Sequence, residues 1–252
     1  MRPFGCICPR WPPLRQIEIS RLTHPEEALS PPPYLVPHSR EPIRLLYRDA
    51  DLLIVDKPTL LLSVPGRHPL NKDCLIHRLD PYYPGVVAVH RLDLDTSGVM
   101  IVPRHSEALS RMARQFQERC VEKTYVARVM GTIDKDTGTI SLPLTRDWPK
   151  RPRQKVCFET GKPAITHWRV VSRENDTSLL ELTPETGRSH QLRIHLSEIG
   201  HHILGCDFYA PDAALKAAPR LLLHASRIRF KHPISGHTIT ACSPARCMNH
   251  YG

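Results

Sequence analysis

The segment VHRLDLDTSG, residues 89–98, sets two carboxylates, Asp93 and Asp95, in a polar centre between two β-branched runs. A carboxylate held rigidly by apolar flanks can act as a nucleophile or a general base. Arg91, two residues from Asp93, either shares its face or swings off toward a ligand. A plainer role fits the same residues: Asp93 or Asp95 caps the turn, Thr96 and Ser97 complete its hydrogen bonds, and Gly98 supplies an unusual backbone angle. The tetrapeptide HRLD also occurs earlier, at residues 77–80. Pro81 follows that copy at once and no β-like run flanks it, so His77 and Asp80 read as the exposed end of a helix.

A second cluster lies in GRSHQLRIH, residues 187–195, where Arg188, His190, Arg193 and His195 surround an expected helix N-terminus. Backbone N–H groups and the helix dipole favour an anion there. As a zinc motif the segment fails, because His190 and His195 are five apart and lack the glutamate of H-E-x-x-H. A solvated basic face is the alternative. Tyr125, in EKTYVARV, reads by default as a cross-strand aromatic.

These groups need elements to hold them. IRLLYRDADLLIVDKP predicts a hairpin, Ile43–Tyr47 paired with Leu52–Asp56 across an Asp49–Ala50–Asp51 turn. Asp73 is the expected N-cap of a short helix carrying the first HRLD. Strands are expected at Val86–Val89 and Val99–Val102, with the second HRLD connecting them. Ser106 is the expected cap of a helix whose core stripe is Leu109, Met112, Ala113 and Phe116. A basic, proline-broken loop places Arg146, Lys150, Arg151, Arg153 and Lys155 around Trp148. Ser189 is the expected cap of a helix that buries Leu192, Leu196 and Ile199, with Gly200 at C′. Strands near Leu221–His224 and Thr238–Ala241 follow. Strands joined by hairpins, with a few helices, give an α+β domain on a largely antiparallel sheet.

The 252 residues carry 35 Lys plus Arg against 25 Asp plus Glu, a net charge of +10, which favours a polyanionic partner, nucleic acid first. The first 42 residues hold ten of the 25 prolines and no sustained period. They read as a flexible extension before a domain over 43–245 and a tail over 246–252. Glu18, Glu26 and Glu27 argue against a transit peptide. No apolar run reaches the ~18 residues of a membrane span, and an intracellular, cytoplasmic protein is expected. The eight cysteines include no C-x-x-C pair. A metal on Cys6 and Cys8 with His24 or His38 is weighed and not favoured.

VHRLDLDTSGVMIV, EKTYVARV and TPETGRSHQLRIHLSEIGHHILGCDFY, in this order and spacing, resemble the RluA-type pseudouridine synthases. DKPTLLLSVPGR, DWPKRPRQKVCFETGKPA and APRLLLHA are similar to the subgroup that modifies both ribosomal and transfer RNA. The resemblance covers about residues 45–244. It implies the pseudouridine synthase fold, with a mixed, mostly antiparallel central sheet, flanking helices and RNA-binding loops, and an isomerase acting on stem-loops of transfer RNA and large-subunit ribosomal RNA. Asp93 would then be the catalytic aspartate. Tyr125 would stack on the target base and serve the later proton removal, and Arg193 would pair with Asp93. Ile194 would floor the uracil pocket, and Arg91 would enter the RNA where the flipped uridine leaves it. Arg188 and His190 would contact the backbone or loop. The loop with Trp148, Arg151 and Arg153 is expected to clamp the stem-loop. Whether the aspartate adds to sugar or uracil, or takes a ribose proton to give a glycal, stays open. No metal or redox cofactor is expected, and a monomer is. The rival reading is a catalytically idle RNA-binding protein or chaperone on the same fold. The Pro-rich extension departs from the subgroup, and no separate N-terminal RNA-binding domain is visible.

Overall fold

The computed structural model describes residues 36–245 and residue 248. Most of the Pro-rich extension, Cys6, Cys8 and His24 lie outside the described residues, as does the tail apart from Met248. The elements are β1 (Arg44–Arg48), β2 (Leu52–Lys57), α1 (Leu75–Leu79), β3 (Ser97–Pro103), α2 (Ser106–Gln117), β4 (Glu122–Met130), β5 (Thr137–Ser141), β6 (Leu144–Arg146), β7 (Gln154–Val156), β8 (Ile165–Glu174), β9 (Thr177–Pro184), α3 (Gln191–Glu198), α4 (Asp212–Lys216), β10 (Leu223–Lys231) and β11 (Thr238–Cys242). Nine strands form one sheet in the order β1-β2-β3-β10-β4-β9-β8-β5, with β11 on β10. Only β3 and β10 run parallel; the other pairs are antiparallel. β6 and β7 make a separate hairpin.

β2 and β3 are apolar on both faces because both faces are covered. Leu53, Val55, Met100 and Val102 pack with Leu75 and Leu79 of α1. Leu52, Ile54, Val99 and Ile101 pack on the other side with Met112 of α2. This is the period-2 alternation of a strand with both sides buried. The largest cluster lies beyond β10, where Ala127, Val129, Leu180 and Leu182 meet Leu192 and Leu196 of α3.

The expected β1–β2 hairpin and the helix over the first HRLD are present. The Val86–Val89 strand is not. β3 already pairs with β2 on one edge and β10 on the other, so no edge remains for it, and a single Val87 N–H to Pro103 carbonyl bond of 3.0 Å stands in. Three expected caps are displaced by one residue. Cys74 caps α1 and His105 caps α2. His190 stands at the start of α3 in left-handed conformation, without a side-chain cap. Asp73 instead binds Arg78, at 2.7 and 2.6 Å. In α2 the fully buried residues are Ala108 and Met112, whereas Ala113 is exposed. Ile199, the residue that ends α3, is 37% exposed, outside the stripe of Leu192 and Leu196. Gly200 takes φ +83 after α3, as a C′ glycine should.

The described part begins tied to the domain before Ile43. Asn71 Oδ1 accepts the Val36 N–H at 3.2 Å, and the Ser39 carbonyl accepts from Arg78 at 2.9 Å. Near the other end, Met248 is 1% exposed and packs in the largest cluster. No helix among the described residues is long and apolar enough to cross a membrane.

Candidate active site

Residues 90–96 form an irregular loop leading into β3, and its main chain is bonded from several directions. Ser63 Oγ donates to the Leu92 carbonyl at 2.8 Å and accepts the Leu92 N–H at 3.1 Å. Thr59 Oγ1 donates to the Asp95 carbonyl at 2.8 Å. The fully buried Lys57 ammonium donates to the carbonyls of Pro58, Leu61 and Leu94 at 2.9, 2.7 and 3.2 Å. Burial pulls the Lys57 pKa down to about 7, against the opposing fields of Asp95 and Asp93. His90 Nε2 accepts the Ile101 N–H at 2.9 Å, and its ring stacks on Phe116. Gly98 closes the loop at φ +117, where a Cβ would sit 2.2 Å from the Ala225 carbonyl oxygen of β10. Only glycine tolerates both that angle and that approach.

With its backbone so held, Asp93 presents a carboxylate to a cavity of about 370 Å³, shared with Tyr125, His190, Arg193, Leu192 and Leu223. Tyr125 stands on β4, opposite Ala225 of β10 and Leu182 of β9. Burial, then the Asp93 charge, raises its pKa, so the phenol holds its proton. The apolar walls include Leu92, Leu192, Leu223 and Pro184. Such a chamber admits a flat heterocycle and keeps water from one face of it.

Arg193 reaches the site from α3, 1% exposed. The structure corrects its expected direct pairing with Asp93. Its guanidinium pairs with Asp207, stands 3.9 Å from Asp95, and donates to Cys206 Sγ from Nε and Nη2, both at 3.3 Å. It lies over the rings of Phe208 and Tyr209, at 5.1 and 5.4 Å. Burial opposes its charge, but Cys206, Asp207 and Asp93 outweigh that and raise its pKa. Asp93 therefore acts on Arg193 through the field, while Asp207 holds it. Burial and the Asp207 charge push the Asp95 pKa up.

α3 is welded to β8 by a directed chain of hydrogen bonds. His195 Nε2 must donate to the Leu142 carbonyl, at 3.1 Å, so its Nδ1 accepts from Thr166 Oγ1, at 2.9 Å. Thr166 in turn accepts from Gln191 Nε2 at 3.0 Å, and Gln191 Oε1 accepts from Thr186 and from the Arg188 N–H. His195 is thus structural, and burial lowers its pKa. His190 is not buried in that network. Its Nε2 lies 4.0 Å from Asp93 Oδ1, its Nδ1 2.6 Å from the Tyr209 hydroxyl, and its ring 5.7 Å from that of Phe208.

Ile194 does not floor the cavity. It is 2% exposed and packs with Leu144 and Ala164 beneath the β6–β7 hairpin, because it lies about 200° around the helix from Leu192. Arg91 is exposed at the rim and Arg188 lines the same cavity. Trp148, 60% exposed at the hairpin tip, has the guanidinium groups of Arg146 and Arg151 over its ring at 5.0 and 4.8 Å. Arg153 departs from that cluster and lies over Tyr209, at 5.6 Å. The first HRLD is remote in role: His77 and Asp80 are exposed, and Asp80 accepts the Gly85 N–H at 3.1 Å.

Sequence reasoning missed Lys57, Lys123, Cys206, Asp207 and Tyr209 as parts of this site. Lys57 had one signal, a lysine closing a strand that opens with four buried apolar residues. The run GCDFY belongs to the block that carries the resemblance, but no local pattern tied it to Arg193, since their meeting depends on a loop folding back. One group among the described residues could reach a cation, Asp49, Asp51 and His232. His232 Nδ1 accepts the N–H groups of Ile234 and Ser235, so Nε2 carries the proton and donates to Asp49 at 2.8 Å. That arrangement clasps two turns together and leaves the histidine no lone pair for a metal.

Residues 51–198 match the family described as RNA pseudouridylate synthase. The dual-specificity RNA pseudouridine synthase RluA of Yersinia pestis is 50% identical over 193 residues, 76% of this chain and 94% of the relative. That of Escherichia coli K12 is 49% identical over 202 residues, 80% and 92% of the two chains. The solved structure of human RNA pseudouridylate synthase domain containing 1 superposes with a TM-score of 0.69 at 31% identity, covering 83% of this chain and 86% of that one. On these matches the chain belongs to the RNA pseudouridylate synthase family.

Proposed function

We propose that this protein isomerises specific uridines to pseudouridine in stem-loops of transfer RNA and of large-subunit ribosomal RNA, with Asp93 as its catalytic carboxylate. The observation that carries this is the placement of Asp93. Its main chain is bonded on both sides, and its side chain opens into a chamber roomy enough for a nucleobase, shared with Tyr125 and Arg193. Similarity over most of their length to relatives named dual-specificity synthases supports the two RNA classes. The surplus of cations and the Trp148 hairpin support a stem-loop partner.

In this reading the uridine leaves its stack at a cost of a few kcal/mol, and Arg91 fills the gap. Uracil enters between Tyr125 and the leucine walls. Asp93 acts at the ribose or the base to free the glycosidic bond, and the base turns and rejoins through carbon. Tyr125 cannot be a base from the start, because burial and the ionised Asp93 oppose a phenolate. On either route Asp93 loses its charge, as an ester or as an acid, and that opposition weakens when the later proton has to be removed. Arg193, fixed by Asp207, maintains a positive field on the carboxylate before reaction.

The test is carbodiimide mapping of pseudouridine in transfer and ribosomal RNA treated with the wild type and with Asp93→Asn. Pseudouridine with the wild type alone is the expected result. Its appearance with both proteins would remove Asp93 from the chemistry, and RNA binding with no pseudouridine from the wild type would favour the idle binding protein.

A further inference from the structure

Next to the chamber that holds Asp93 lies a second cavity, of about 460 Å³, whose lining includes Arg91, Phe116, Arg119, Lys123, Tyr125 and Arg188. Arg91, Lys123, Tyr125 and Arg188 line both cavities, so they form the wall between them. Four cations face this space. Among the described residues, none of the four has a carboxylate within 4.0 Å. The acidic residue in the lining, Glu185, is engaged at 2.6 Å with His167.

Lys123 is the residue that most needs explanation. It is partly buried, its ammonium has no hydrogen-bond or ion-pair partner among the described residues, and it stands two positions before Tyr125 on β4. Residues i and i+2 of a strand share a face ~6.8 Å apart, a separation on the scale of one nucleotide. Burial, then the nearby Arg119 charge, lowers the Lys123 pKa, as expected of a cation without its counter-ion. Gly187 faces it with nothing but the lysine nitrogen, at 3.8 Å, near where a Cβ would be. The backbone of the loop between β9 and α3 thus leaves open space beside the ammonium.

We propose that this second cavity seats the RNA phosphodiester adjoining the flipped uridine, with Lys123 as its buried contact and Arg119 and Arg188 at the rim. The proposal rests on the functional reading above and adds to it a fixed anchor for the backbone. With Arg91 between the cavities, base and phosphate part on either side of one guanidinium. The target nucleotide is then held at its phosphate and at its ring, which fixes the ribose between them over Asp93.

The probe is a transfer-RNA anticodon stem-loop on which the wild type forms pseudouridine, made also with single neutral methylphosphonate linkages around the target uridine. Binding is measured over a salt series with the wild type, Lys123→Met, Lys123→Arg and Arg119→Met. One linkage beside the uridine should weaken wild-type binding about tenfold and leave Lys123→Met unchanged, while Lys123→Met lowers the salt slope by about one. Lys123→Arg should retain both sensitivities, and Arg119→Met should lose part of the response to that same linkage. The proposal is overturned if no linkage beside the uridine matters to the wild type more than distant ones do. It is equally overturned if Lys123→Met and the neutral linkage weaken binding additively. Pseudouridine formation is scored on the same samples, so a rejected phosphate seat leaves the functional reading standing. Because the wild-type comparison of linkages needs no substitution, a poorly folding variant does not shield the idea.

Discussion

The Tyr209 hydroxyl lies 2.6 Å from Nδ1 of His190, and the backbone N–H of Gln154, in the β6–β7 hairpin, donates to that same hydroxyl at 2.9 Å. The hydroxyl oxygen accepts from Gln154 and shares a second hydrogen bond with Nδ1, while Nε2 of the same His190 ring faces Asp93 at 4.0 Å. The hairpin is thereby bonded through Tyr209 to a ring that faces the carboxylate.

Tyr209→Phe breaks this chain at its middle while retaining the ring under Arg153 and Arg193. Single-turnover pseudouridine formation should slow about tenfold, the scale expected when a group beside the reacting atoms is no longer oriented. RNA affinity should change little, and unfolding should cost about 1 kcal/mol less, for the N–H and ring nitrogen left without partners. A unchanged rate would show that His190 does not need Tyr209.

Lys57→Met removes the donor shared by three carbonyls. Each buried carbonyl left unpaired costs about 1–3 kcal/mol, so chemical denaturation should show a loss of about 3 kcal/mol or more. In whatever fraction remains folded, release of the Leu94 carbonyl should reduce the catalytic rate more than RNA affinity. Equal stability of variant and wild type would mean that water replaces the ammonium.

Two arginines of the hairpin should differ. Arg151 lies over the exposed Trp148, whereas Arg153 lies over Tyr209. Arg151→Glu should weaken RNA binding and flatten its salt dependence without changing the rate at saturating RNA. Arg153→Glu should do both of these and slow the reaction, since it disturbs the partner of His190. Identical kinetic behaviour of the two would reject this division of labour.

Acid should destabilise the protein before its carboxylates titrate. Burial brings the His90 pKa down to about 3, and lowers those of His195 and His224. In each case the unfolded chain takes up a proton near pH 6.5 that the folded chain refuses, so stability is complete above that pH and falls below it, for His90 until about pH 3. Each such histidine adds about 1.4 kcal/mol per pH unit. Denaturation at pH 7, 6 and 5 should give a steepening loss. His90→Asn, whose side chain does not titrate, should reduce the slope by about one histidine's share; an unaltered slope would refute the assignment.

Much of the catalytic loop could be read from local chemistry. DLDTSG between apolar runs marks a turn before a buried strand, and Gly98 is needed there by angle and by contact. Helix starts were harder, because histidine and cysteine side chains cap α2 and α1 where serine and aspartate were expected. Val86–Val89 has strand chemistry, but pairing is decided by which edges remain free, and β3 had none. The partner of Arg193 was hidden for a related reason. Asp207 is 14 positions away, beyond a helix end and a turn, and no spacing rule connects them. What local pattern cannot show is which distant groups compete for one charge.

The position of β10 in the sheet has a consequence for synthesis. This strand lies between β3 and β4, yet it is translated about 120 residues after the first of them. Until it emerges from the ribosome, β3 and β4 each present a bare edge, and Gly98 has no Ala225 to pack against. Long-range pairing of this kind is slow to form, and exposed edges invite wrong partners. The nascent chain therefore cannot complete its RNA-modifying centre until its second-to-last strand is made, which delays activity until almost all of the domain has left the tunnel.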